Sequence, residues 1–162
     1  MEACDVLAQG GEVYAERPPL SLRIYNPPGF TDRVLQVLRE SEVSVYDWED
    51  GRLYNCTMVP AKVLKRIASL LPREQLNDTW NGRPMFRDFL RVASRVNSAM
   101  FDLFVVTKER FDERVSVYAA WLPLYPPPLL KWAVDTLTSR AAPPSAVGVL
   151  RKGKYYLYLY WD

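Results

Sequence analysis

Along the chain, the alternation of apolar and polar residues changes period several times, and each change is punctuated by Pro or Gly. Leu20-Ser21-Leu22-Arg23-Ile24-Tyr25 alternates strictly, as in a strand with one wet face, and Pro27-Pro28-Gly29 stops it. Thr31 then stands where a helix cap is wanted, ahead of Val34, Leu35, Val37 and Leu38 at helical spacing. Glu42 to Met58 reads as a hairpin turning at Glu49-Asp50-Gly51, the Asp-Gly pair supplying the positive φ angles of a tight turn. Pro60 suits the first turn of a second helix, which carries Val63, Leu64, Ile67, Leu70 and Leu71 inward and stops at Pro72. After a loop from Asn77 to Gly82, Pro84 opens a third helix to about Asn97, with Phe86, Phe89, Leu90, Ala93 and Val96 on one face. A second hairpin pairs Phe101–Lys108 with Arg114–Leu122 around a charged turn at Glu109 to Glu113. Pro123 to Pro128 is a rigid connector into a fourth helix, Leu129–Ser139, and a last hairpin pairs Ala146–Lys152 with Tyr155–Trp161 across Gly153.

The predicted order is β α ββ α α ββ α ββ. Strands delivered as hairpins pair antiparallel, so the fold class is α+β: an antiparallel sheet built from hairpins and packed with about four α-helices. Residues 1–18 show no sustained period and end at Pro18-Pro19; they read as a loose leader before a single domain over 19–162.

Composition narrows the function classes. With 162 residues, 49% hydrophobic and 25% charged, the chain is an ordinary globular mixture long enough for its own core. No run approaches the ~18 apolar residues of a membrane span, and Met1-Glu2-Ala3-Cys4-Asp5 lacks the pattern of a signal peptide. The expectation is a cytoplasmic protein that does not engage membranes. Cys4 and Cys56 are too few for a disulfide framework, and Asn55-Cys56-Thr57, a glycosylation sequon by pattern, lies mid-strand. There is no histidine, which excludes Ser-His-Asp and Cys-His catalysis and every His-containing zinc site. Neither a Gly-x-Gly-x-x-Gly nor a Walker pattern occurs among the 7 glycines. No cofactor is expected.

Charge is unevenly placed. Net charge is +2, but Met1 to Met58 holds 5 Lys/Arg against 10 Asp/Glu, whereas Ala61 to Arg95 holds 8 against 3. Arginine supplies 15 of the 21 cations, and its planar fork suits phosphate pairing and ring stacking. A basic patch for a polyanion accounts for this, and so do the ion-pair networks of a heat-adapted protein, which the 3 Gln and 4 Met fit equally.

Three features carry candidate binding chemistry. In the last strand, Tyr155, Leu157, Leu159 and Trp161 share one side, while Tyr156, Tyr158 and Tyr160 form a row on the other. Arg151-Lys152-Gly153-Lys154 precedes them, so phenol rings in line with cations make a stacking platform for unpaired bases. A well-packed half-wet strand gives the same pattern. On the third helix Arg87, Arg91 and Arg95 form one outward stripe opposite the apolar face, with Arg83 before Pro84 off the helix. Such a stripe can take successive phosphates, and it is also what an ordinary solvated face looks like. Elsewhere Arg23 with Tyr25, Tyr46 with Trp48, and Arg114 with Tyr118 each share a strand face.

Carboxylates supply the one enzymatic alternative. Asp47, Glu49 and Asp50 cluster at the first hairpin turn, and Asp102, Asp112 and Glu113 flank the second. Asp102 with Glu113 across the hairpin and Lys108 nearby would suit a magnesium-dependent nuclease, although acids at hairpin turns are common simply because turns are wet.

Four helices set against antiparallel hairpins, with arginines and aromatics interleaved, resemble the ThermoDBP family, single-stranded-DNA-binding proteins of hyperthermophilic archaea that stand in for OB-fold proteins. The residues carrying the resemblance are Arg87, Arg91 and Arg95 and the run Arg151 to Trp161, and it covers element order over about residues 20–162. It implies bases held in an apolar cleft with basic flanks. The chain has no C-terminal heptad segment, so the resemblance does not extend to dimerisation by a coiled coil. The expectation is therefore a non-enzymatic, sequence-tolerant domain for single-stranded DNA or RNA, without metal or catalytic residues. Tyr156, Tyr158, Tyr160 and Trp161 stack bases, Arg87, Arg91, Arg95, Arg151, Lys152 and Lys154 take phosphates, and Arg114 with Tyr118 adds to the same groove. The alternative is an assembly subunit that uses this surface for a protein partner or a second copy.

Overall fold

The computed structural model describes residues 24–79 and 81–162. Within them run α1 (Phe30–Glu40), β1 (Ser44–Asp47), β2 (Leu53–Pro60), α2 (Ala61–Ala68), a 3-10 turn (Arg73–Asn77), α3 (Phe86–Arg95), β3 (Met100–Val106), β4 (Arg114–Pro123), α4 (Pro127–Thr138), β5 (Ala146–Lys152) and β6 (Lys154–Tyr160). The six strands form one antiparallel sheet in the order β1-β2-β3-β4-β6-β5, and the four helices accompany it: the fold is α+β. Of the first predicted strand, residues 20–23 lie outside the described residues, and Ile24 and Tyr25 are not in a strand; the Tyr25 hydroxyl donates to Asp78 instead. The predicted leader, residues 1–18, also lies outside.

All four helices contribute to one core on one face of the sheet. Val34 and Leu38 of α1, Leu64 and Ile67 of α2, Phe89 and Val92 of α3, and Ala133 and Leu137 of α4 pack with Leu103, Val105, Val117, Leu122 and Leu159. Phe89 is its centre, edge-on to Phe101 at 6.0 Å and to Trp161 at 5.8 Å. Side chains alternate across a strand, so Asp102, Phe104, Trp121, Tyr156, Tyr158 and Tyr160, none of them in that core, belong to the opposite face.

Local chemistry fixes the elements. In the first hairpin Asp50 (φ 48°) and Gly51 (φ 82°) adopt the positive φ that the Asp-Gly pair predicts, and the Asp47 carboxylate accepts the Gly51 amide at 2.9 Å. Thr31, expected as the cap of α1, lies one residue inside the helix. The cap is tertiary: Glu113, at the end of the second hairpin turn, accepts the Gly29 amide at 2.7 Å and the Thr31 hydroxyl at 2.6 Å. A carboxylate there satisfies free amides and opposes the positive end of the helix dipole.

Asp102 on β3 sits between two bulges. On β2, Thr57 and Met58 together oppose it, with Met58 at φ 53°; on β4, Tyr118 is the extra residue between Val117 and Ala119. Beyond this point β6 leaves β4, pairing only with Ala119 to Pro123. At Val115, in the first half of β4, a side chain takes the place of a strand. The Gln75 carboxamide donates to the Val115 carbonyl and accepts the Val115 amide, both at 3.0 Å, doing what a neighbouring strand would do.

Candidate functional site

The opposite face, which no helix covers among the described residues, is aromatic. From the β1 end, Trp48 meets Phe104 at 5.3 Å, Phe104 stacks on Tyr118 at 4.5 Å and 28°, and Tyr118 meets Tyr160 edge-on at 5.8 Å. Towards the far end Trp121 contacts Tyr158 at 4.9 Å and Tyr156 at 6.1 Å. Phe104, Trp121, Tyr158 and Tyr160 are half-buried, while Tyr46 and Trp48 are exposed at the β1 edge. The face is concave. Lys152, from the last hairpin, lines one depression with Thr57, Met58 and Met100 of β2 and β3, which requires the sheet to coil toward its free side.

Asp102 anchors the floor of this concavity. Its Oδ1 accepts the Met58 amide at 2.8 Å and the Trp121 indole N–H at 3.1 Å, and its Oδ2 accepts the Tyr158 hydroxyl at 3.0 Å. Burial pushes its carboxyl above the ordinary carboxylate value, and the three hydrogen bonds oppose that shift in part. Burial, then the Asp102 charge, also pushes the Tyr158 phenol above its ordinary value; Tyr118, donating to Asn55 at 2.7 Å, is raised for the same two reasons. The site is thus a wall of neutral hydroxyl and indole groups around one acid, held in fixed orientations.

Compared with protein-family models, curated proteins and solved structures, the chain matches none. The site stands on its own geometry, which treats the predicted residues unequally. Tyr156, Tyr158 and Tyr160 do share the helix-free face, but Tyr156 is buried, with the Lys154 ammonium 5.5 Å from its ring centre. Trp161 is a core residue, 1% exposed, its indole donating to the Ala142 carbonyl at 2.9 Å, because it lies one alternation step from the tyrosines and under α3. Lys152 and Lys154 are exposed at the hairpin tip; Arg151, on the other side of its strand, lies 5.7 Å from the Tyr155 ring.

The arginine stripe is elsewhere. Arg87, Arg91 and Arg95 are exposed on the outer side of α3, whose inner side packs on the covered face, so the helix layer and the sheet separate them from the tyrosine row. Arg95 lies 4.5 Å over the Trp132 ring of α4. The single groove expected to join both groups is not formed. Arg114 and Tyr118 are both buried: the Arg114 guanidinium pairs with Asp112 at 2.6 Å, and burial holds it below its ordinary pKa.

The acids are not assembled for a metal either. Asp102 serves its three donors, Glu113 caps α1, and Lys108 pairs with Asp32 at 2.8 Å. Asp47 caps its own turn, and Glu49 meets Arg110 at 3.2 Å. Among the described residues no group of three acids or thiols is placed to hold a metal ion.

Sequence reasoning missed Trp121 and Phe104 as members of the face. Strand parity with Asp102 was the available signal for Phe104, but the bulges break simple counting across β2 and β4. It also missed Arg83, which is buried beside Tyr118, 6.0 Å from its ring, and donates to the Ser116 hydroxyl at 2.9 Å. The adjoining cavity of about 30 Å³ has room for a water molecule or two, not a nucleotide.

Proposed function

We propose that the concave, helix-free face binds single-stranded nucleic acid without sequence preference. One observation carries the reading: two groups of rings, Trp48–Phe104–Tyr118–Tyr160 and Trp121 with Tyr158 and Tyr156, most of them half-buried or exposed, on a sheet face that no helix covers among the described residues, with Lys152 and Lys154 at its margin. Every base has a π-face, so such rings accept any sequence, each stacked base being worth roughly 1–3 kcal/mol. Trp121, Tyr158 and Tyr160 would meet bases in the concavity, Trp48 and Tyr46 at its outer end, and the two lysines would take phosphates. This is the activity the ThermoDBP resemblance implies, carried by the sheet rather than by the α3 stripe.

Titration of intrinsic tryptophan fluorescence with oligothymidylate at two salt concentrations tests it. Trp48 and Trp121 lie on the face, so quenching is expected. Two neutralised phosphates give a slope of log affinity against log salt near about −1.4 for a single strand. Replacing Lys152 and Lys154 with Gln should flatten that slope, whereas Arg87→Gln with Arg91→Gln should leave it unchanged. Absence of salt-dependent quenching, or dependence on the α3 arginines alone, overturns the reading.

A further inference from the structure

The sheet ends differently at its two margins. β1 is a four-residue edge, whereas β5 is a seven-residue edge strand, and among the described residues nothing is hydrogen-bonded to its outer side. Exposed apolar side chains gather there: Val147 (61% exposed), Val149 (59%) and Leu150 on β5, with Tyr155 on the adjoining β6. A long open edge of this kind presents unpaired backbone groups that invite another strand, and charged residues usually guard it. Here the only charges on β5 are Arg151 and Lys152, at one end.

We propose that β5 pairs antiparallel with β5 of a second copy of this chain, about a two-fold axis at Gly148, joining two six-stranded sheets into one. Side chains directly opposite each other must share a face, so pairing about Gly148 sets Val147 against Val149 of the second copy, and Ala146 against Leu150. Both contacts are apolar, and the symmetry makes each twice. At either end Arg151 falls opposite Ser145 of the other copy. The Ser145 hydroxyl accepts the Asp162 amide at 2.9 Å, and Lys152, which falls opposite the neighbouring Pro144 on the face that Asp162 shares with Tyr160, brings its ammonium toward the Asp162 carboxylate of the other copy. Parallel pairing in register would put those cations against each other. The charges therefore select the antiparallel arrangement.

Gly148 is a second, independent sign. It has no positive φ, and a Cβ built on it would meet nothing within 4 Å, so nothing among the described residues calls for glycine there. A glycine inside a strand is commonly a place where another backbone approaches closely. One seven-residue strand per copy makes a small contact by the standards of stable dimers, so the dimer is expected to be concentration-dependent.

The experiment uses the full chain. Light scattering coupled to sizing should show a mass rising from 18.7 kDa toward twice that value with concentration. Val149→Lys, at an exposed position, should keep its melting temperature and raise the dimer dissociation constant by about tenfold or more. In a Cys4→Ser background Gly148→Cys should cross-link two chains under mild oxidation, because residues opposed across a two-fold ladder have Cα atoms about 4.5–5.5 Å apart, within disulfide reach. It should do so much faster than Lys131→Cys, an exposed control on α4. Cys56 does not compete: it is buried, and its thiol is pushed up to about 12. A single-chain mass at every concentration overturns the proposal. So does a dimer that Val149→Lys leaves intact, or cross-linking at Gly148 no faster than at Lys131.

Discussion

The two faces of this sheet exclude water by different means. Under the helices, Val, Leu and Ile side chains close-pack around Phe89 and Trp161. On the free face the same strands carry rings with polar tips, and the one charged group at its centre, Asp102, takes hydrogen bonds from three of its neighbours. A covered face holds together by volume; an uncovered one needs fixed partners for every hydroxyl and indole, because aromatic bodies with satisfied tips tolerate water alongside. The second kind of surface is rigid and still accessible, which is what a binding face requires.

The largest test of that contrast is Phe89→Ala. It empties the centre of the covered face and is expected to cost about 3–5 kcal/mol in a denaturant melt. Phe104→Ala on the free face, where the ring is half-buried, should cost distinctly less; equal costs would mean the two faces are packed alike.

Next comes Asp102→Asn, which leaves the Met58, Trp121 and Tyr158 donors short of an acceptor, for about 1–3 kcal/mol. Its pH dependence sharpens the comparison. The folded protein holds the Asp102 proton to higher pH than the unfolded chain does, so this group favours folding most at low pH and less as pH rises through its raised value. The cost of Asp102→Asn should therefore grow as pH falls from about 7 toward about 4. Asp112 behaves oppositely. Burial alone would raise it, but hydrogen bonds from Arg110 and Arg114 hold it below the ordinary value, so its contribution is present above about 4 and is lost as pH falls further. The cost of Asp112→Asn should shrink in acid.

The smallest expected effect is Arg91→Ser on the outside of α3, within about 0.5 kcal/mol. A larger loss would show that the stripe is part of the core architecture after all.

Hairpins and helices were legible because Pro60, Pro84, Pro123 and the Asp50-Gly51 pair mark their ends, and those marks are local. The sorting of the last strand was legible too, since Tyr156, Tyr158 and Tyr160 must lie opposite Leu157, Leu159 and Trp161 whatever else happens. Alternation names two sides but not the one that helices will cover, and this is why Trp161 was mistaken for a binding residue and why the α3 stripe was set beside the tyrosines. Strand order was equally hidden: β6 inserts between β4 and β5, which the succession of hairpins does not reveal. The partnerships of Asp102, Glu113 and Arg114 depend on bulges and tertiary caps, contacts that no spacing in the chain announces.

The carboxamide of Gln75 that stands in for a strand at Val115 has a consequence for how the sheet breathes. A strand protects its neighbours cooperatively, because many bonds must break together; a side chain lets go by turning about its own torsions. Deuterium should therefore enter the Val115 amide through brief rotations of Gln75, well ahead of Ala120, whose side chain is fully buried between β3 and β6.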